Sequence, residues 1–97
     1  MKTALVTGAS SGLGEVLTRL LVRERGMRVA ATGRRLDRLE ALRASLPDGS
    51  LEILAGDIGD RTFRAELWAF AEERLGGVDL LINNAGIGHY SEFAEED

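Results

Sequence analysis

The stretch Thr3-Ala4-Leu5-Val6-Thr7-Gly8-Ala9-Ser10-Ser11-Gly12-Leu13-Gly14 decides how the rest of the chain is read. Ala4 to Val6 is a short apolar run closed by a glycine-rich turn, the pattern of a strand covered on both faces of a parallel sheet. Val16, Leu17, Leu20 and Leu21 then recur at helical spacing, which predicts a helix packed on that sheet. A strand that passes through a glycine loop into a helix brings backbone N–H groups and the positive end of a helix dipole to one place. That combination holds phosphate.

The spacing of the glycines narrows the type. Gly8, Gly12 and Gly14 fit T-G-x-x-x-G-x-G beginning at Thr7. They do not fit the dinucleotide fingerprint G-x-G-x-x-G, whose last glycine would fall on Leu17, nor a Walker A loop, since no Gly-Lys-Ser/Thr follows. An incidental glycine-rich turn between strand and helix is the plain alternative. On these residues the chain resembles the short-chain dehydrogenase/reductase family. The resemblance implies that Gly8 makes the turn, Gly12 lets the backbone approach a pyrophosphate, and Gly14 allows close helix–strand packing. Ser10, Ser11 and Leu13 complete the loop; the two serines can cap the helix N–H groups or hydrogen-bond phosphate.

Composition removes several other classes. Ninety-seven residues allow one small domain. Without cysteine there are no disulfides and no thiolate metal sites, and the single His89 has no carboxylate at ligand spacing, so no metal is expected. No apolar run is long enough to span a bilayer, and Met1-Lys2-Thr3 leads straight into a strand. The expectation is therefore no signal peptide and no membrane, and a cytoplasmic setting fits. The net charge of −4 resides in Glu92, Glu95, Glu96 and Asp97. The evenly charged remainder gives no electrostatic case for nucleic acid.

Along the chain, the first helix is expected from about Ser11 to Arg25 with Gly26 as its stop, and Arg28 to Thr32 as the second strand. Gly33-Arg34-Arg35 follows at once. A dinucleotide fold that selects NAD places an acid about twenty positions after the glycine loop, on the ribose 2′-hydroxyl. Here that place holds arginines. A guanidinium fork suits a phosphate and has no partner in a neutral ribose edge. The reading is selection of NADP(H) over NAD(H), with Arg34 as the main contact to the 2′-phosphate and Arg35 as support. The alternative is a solvated start to the next helix, where positive charge is mildly unfavourable.

Leu36, Leu39, Leu42 and Leu46 form the core stripe of that helix, with Asp37, Arg38, Glu40 and Arg43 on its wet side. Leu51 to Ala55 is the third strand. In the loop after it, the resemblance gives Asp57 a hydrogen bond to the adenine amino group and sets Ile58 against the ring. Asp60 is the expected N-cap of a helix from Arg61 to Leu75 buried through Phe63, Leu67, Phe70 and Ala71. Val78 to Asn83 is the fourth strand. It runs into Asn83-Asn84-Ala85-Gly86, a second family match, which implies that Asn84, Ala85 and Gly86 border the cofactor's ribose.

These repeats imply an α/β fold, a Rossmann-type doubly wound parallel sheet with strand order 3-2-1-4, residues 1–97 forming a single NADP(H)-binding half-domain. Family members run to more than twice this length. Their Ser and Tyr-x-x-x-Lys groups, which polarise the substrate oxygen and move its proton, come later in the chain. Tyr90 is followed four positions on by Ala94, and no lysine follows Lys2. No catalytic residue is therefore assigned, and this chain alone is expected to be inactive. The parent function implied is NADP(H)-dependent hydride transfer with a small carbonyl or alcohol substrate. The other readings are a non-catalytic dinucleotide-binding module that self-associates or acts through a partner, and a remnant that binds nothing. The open edge at Val78–Ile82 raises the expectation of a homo-oligomer.

Overall fold

Four strands, β1 (Thr3–Thr7), β2 (Arg28–Gly33), β3 (Leu51–Ala55) and β4 (Leu80–Asn83), alternate with α1 (Gly12–Arg23), α2 (Leu36–Ala44) and α3 (Arg61–Leu75). The structure is a computed structural model that describes residues 2–84. All strand pairs are parallel and the order is β3-β2-β1-β4, as the sequence implies. Along the strands, side chains go alternately to two covered faces, which is why the apolar runs show no polar alternation. Ala4, Val6, Val29, Ala31 and Leu51 pack with Leu21 and Val22 of α1, with Leu39 and Leu42 of α2, and with Leu46, which lies just beyond the end of α2 rather than within it. Leu5 and Ala30 face the other way, onto Phe63, Leu67, Ala71 and Leu75 of α3.

The burying face of α1 is turned from the one expected. Gly14, Thr18, Leu21 and Val22 are buried, whereas Val16 and Leu20 are 58% and 43% exposed. The reason lies at Gly14. Lacking a side chain, it lets the helix approach the turn after β1 so closely that the Gly14–Thr18 row, not the Val16–Leu20 row, faces the sheet. The Thr18 hydroxyl is fully buried and donates to the Gly14 carbonyl at 2.8 Å, so this polar residue is satisfied inside its own helix. Leu13, Val16 and Leu20 form a second, exposed stripe, and Leu80 of β4 is exposed too.

Smaller corrections have local causes. α1 ends at Arg23, two residues early, and Gly26 turns the chain with φ 65° while its N–H donates to Val22 O at 3.2 Å. Leu36 is 49% exposed because it opens α2 before the helix reaches the sheet. Phe70 is only half-buried, its ring 4.9 Å below the Arg74 guanidinium. β4 begins at Leu80, not Val78, because Asp79 is engaged with Thr3: its Oδ2 accepts from the Thr3 N–H at 3.0 Å. That N–H, with the Thr3 hydroxyl 3.2 Å away, holds the Asp79 carboxyl below its ordinary value of 3.8. At the other end of α1, Arg19 and Arg23 reach Ser45 and cap the carbonyl end of α2.

Candidate functional site

The chain leaves β1 in one direction, through β2 to β3, and returns to β4 on the other side of β1. In an open parallel sheet that reversal leaves a crevice beyond the carboxyl ends of the strands. Here the loops after all four strands meet around a cleft of about 430 Å³. Gly8, Ser10 and Ser11 come from the loop after β1, and Thr32 to Arg35 with Arg38 from the end of β2 and the start of α2. Gly56 and Ile58 follow β3, and Asn84 follows β4.

The loop after β1 is built by close approach. Gly8 turns the chain at φ 69°, and the next N–H, from Ala9, donates to Thr32 O at 2.8 Å, tying the loop to β2. A Cβ on Gly14 would collide with the Gly8 carbonyl, and one on Gly33 with the Ser10 hydroxyl. At Gly12 the situation differs: a Cβ there would meet nothing within 4 Å. Protein packing gives no reason for a glycine at that position. Ser11 occupies the N-cap position of α1, and of the two roles open to it, capping or a bond to phosphate, its side chain does not make the cap. Its hydroxyl donates 2.8 Å to the Gly8 carbonyl, because that carbonyl is turned toward it by the tight loop. The first N–H groups of α1 are thus left to a ligand or solvent. Of the expected loop residues, Gly12, Gly14 and Leu13, the last 61% exposed, are not among those that line the cleft.

Three arginines form one wall. Arg34 Nη2 lies 3.2 Å from Asp57 Oδ1, which also accepts from Gly59 N at 2.9 Å. Arg35, the N-cap residue of α2, has Nε 3.9 Å from Asp37 Oδ1. Arg38 sends Nη1 to the Ser10 backbone carbonyl at 3.3 Å. Arg34 and Asp57, assigned to opposite ends of an adenosine in the sequence reading, therefore meet each other directly. Asp57 itself is exposed outside the cleft, while its neighbour Ile58 lines it and packs on the α3 side of the core. Beneath this loop Arg64 is 4% exposed, and its Nη1 donates to Ile58 O at 3.0 Å. Gly56 leaves room for the Phe63 ring.

At the switch point, Thr7 and Asn83 are register partners, and the Thr7 hydroxyl donates to Asn83 Oδ1 at 2.7 Å. This fixes the strand ends from which Gly8 and Asn84 enter the cleft. Ala85 and Gly86, the remaining expected site residues, lie outside the described residues, as do His89, Tyr90 and the acidic tail.

Sequence reasoning missed Arg38, Thr32, Gly33 and Gly56 as site residues. Arg38 looked like a solvated helix position, yet it stands one turn into α2 on the side of Arg34, a spacing that could have drawn attention to it. Among the described residues no group of His, Cys, Asp and Glu could hold a metal ion, and no helix is long and apolar enough to cross a membrane.

A family model described as short chain dehydrogenase matches residues 2–97. The chain is 42% identical over 89 residues to a farnesol dehydrogenase of Aedes aegypti, covering 89% of this chain and 36% of that protein. Among solved structures it is similar to a short chain dehydrogenase/reductase family oxidoreductase from Aeromonas hydrophila, with TM-score 0.83 and 36% identity, over 93% of this chain and 42% of that one. It is also similar to an alcohol dehydrogenase from Thermococcus sibiricus complexed with 5-hydroxy-NADP, with TM-score 0.77 and 33% identity, over 84% of this chain and 35% of that one. The chain spans a little over a third, 36%, of the farnesol dehydrogenase that it matches. With the glycine loop, the strand order and the crevice at the strand ends agreeing, the chain belongs to the short chain dehydrogenase family.

Proposed function

We propose that residues 1–97 are the NADP(H)-binding portion of an oxidoreductase that moves hydride between the nicotinamide and a small carbonyl or alcohol substrate. The observation that carries the choice of cofactor is the arginine wall at the end of β2, where Arg34, Arg35 and Arg38 line the cleft. The chain's donors suit a dinucleotide. The uncapped N–H groups at Gly12, Leu13 and Gly14, with Ser10 and Ser11, would hold the pyrophosphate, and the open space beside Gly12 admits it. Arg34 and Arg35 would take the 2′-phosphate, Asp57 and Ile58 the adenine, and Asn84 with Ala85 and Gly86 the nicotinamide-side ribose. The nicotinamide when bound supplies the hydride chemistry; the chain's part is to orient it.

The Arg34–Asp57 pair does not stand against this reading. Its side chains are 78% and 56% exposed, and exposed pairs are worth about 0–1 kcal/mol. A charge-assisted bond to phosphate is worth roughly 1.5–3 kcal/mol, so the phosphate wins the guanidinium and Asp57 is released toward the adenine. The complex of the Thermococcus relative with an NADP analogue supports the same cofactor. The whole protein is proposed to act as a cytoplasmic homo-oligomer, with the groups that donate and accept the substrate's proton outside this segment. Arg34→Ala tests the cofactor assignment. Titration should show NADPH affinity falling roughly ten- to a hundredfold, with NADH affinity nearly unchanged. Equal affinities of the unmodified protein for NADPH and NADH would overturn it.

A further inference from the structure

Arg64 carries a charge where the fold alone asks for an apolar residue. It lies in the first turn of α3, where a positive charge opposes the helix dipole. It is also 4% exposed, on a helix that buries Phe63 and Leu67 in the core. Burying a guanidinium costs more than burying an apolar side chain of similar volume, and such a charge persists only where polar groups hold it. Helix formation and core packing therefore give no reason for an arginine here.

The loop after β3 does. Arg64 Nη1 donates to Ile58 O at 3.0 Å, and the Arg64 backbone N–H donates to Asp60 O at 3.0 Å. These two carbonyls belong to the residues on either side of Gly59, so one residue of α3 grips the loop at both shoulders. Bonds within the loop close its turn, with Asp60 N on Asp57 O at 3.0 Å and Gly59 N on Asp57 Oδ1 at 2.9 Å. The guanidinium ties that turn to the helix beneath it. Ile58 is the residue it holds, and Ile58 both lines the cleft and packs, partly buried, against the core on the α3 side.

We propose that Arg64 is a positioning residue for the adenine end of the cofactor, an inference that rests on the dinucleotide reading above. It acts through Ile58. Holding that carbonyl from inside fixes how far the Ile58 side chain stands into the cleft, so the adenine meets a wall already in place. Arg64 is not among the residues that line the cleft, and its effect should be blind to the 2′-phosphate.

A double-mutant cycle tests this, with NADPH and NADH titrated into the unmodified protein, Arg64→Met, Ile58→Ala and the double variant. Arg64→Met should weaken both dinucleotides by the same factor, about three- to tenfold, the worth of one hydrogen bond. In the Ile58→Ala background the same substitution should change either affinity less than about twofold, because the side chain it places is gone. If Arg64 only supports the fold, its effect persists undiminished without the Ile58 side chain, and the proposal falls. It falls equally if Arg64→Met folds and binds both dinucleotides like the parent. Unequal losses for NADPH and NADH would tie Arg64 to the 2′-phosphate and also overturn it. Arg64→Gln, which shortens the side chain while keeping it polar, carries the same cycle and the same expectations if Arg64→Met does not fold. An unmodified protein that binds NADPH and NADH equally overturns the choice of cofactor alone, since the cycle compares each variant with its parent.

Discussion

Replacing Gly12 and Gly14 separately by alanine should split stability from binding within one loop. A Cβ on Gly14 collides with the Gly8 carbonyl, which already accepts bonds from the Ser11 N–H at 3.2 Å and the Ser11 hydroxyl at 2.8 Å. Overpacking of this kind costs about 1–3 kcal/mol, and displacing the carbonyl loosens two bonds of about 0.5–1.5 kcal/mol each. Alanine returns about 1 kcal/mol of helix propensity. The net expectation for Gly14→Ala is a destabilisation of roughly 1–5 kcal/mol. Gly12 has no such neighbour and helical φ, so Gly12→Ala should be neutral or stabilising by up to about 1 kcal/mol. Its effect should fall on the dinucleotide instead, with affinity down at least about tenfold from the loss of one charge-assisted backbone contact. Gly12→Val should abolish binding while the protein still folds. Urea unfolding and NADPH titration on both variants read the two effects. A Gly12→Ala protein that unfolds as easily as Gly14→Ala, or that binds NADPH like the parent, would refute the division.

Asp79 should make stability depend on pH at the acid end. Its folded pKa lies below 3.8, so the clasp on Thr3 contributes fully above that value and is lost as pH falls through the lower, folded one. The stability difference between the parent and Asp79→Ala should therefore shrink below pH 3.8, and a difference that grows on acidification would count against the clasp. The exposed stripe of Leu13, Val16 and Leu20, with Leu80 on the edge strand β4, predicts that the 97-residue chain made alone self-associates. Sedimentation over a range of concentrations checks this, and a concentration-independent monomer would contradict it.

Much of the fold is legible in the chain because its signals are local. Asp60 before Arg61 reads as an N-cap, and its Oδ1 does accept from Thr62 N at 2.9 Å. Leu51 to Ala55 and Arg61 to Leu75 have the bounds the pattern predicts. What the pattern misjudges is decided by non-local contact. Val16 and Leu20 satisfy helical periodicity as well as Leu21 does, and only the meeting of Gly14 with Gly8 settles which row faces the sheet. Arg64 looks like a surface residue of α3, yet the carbonyl of Ile58 draws it into the interior. The candidate site shows the same division. Its glycines announce themselves by spacing, whereas the Arg34–Asp57 pair and the reach of Arg38 to Ser10 join segments 23 and 28 residues apart.

The central claim is that a dinucleotide binds at the carboxyl ends of the strands, and amide chemical shifts of the isotopically labelled protein test it directly. The molecule has a second hollow of about 620 Å³, larger than the cleft, at the opposite end of the sheet among Lys2, Leu20, Leu21, Arg25, Met27, Asp79 and Leu80. On titration with NADPH, the amides of Gly8, Ser10, Ser11, Gly12, Gly33, Arg34 and Asn84 should shift together and saturably, while those of Lys2, Met27 and Asp79 stay in place. Shifts centred on Lys2, Met27 and Asp79, with the glycine loop unmoved, would contradict the account.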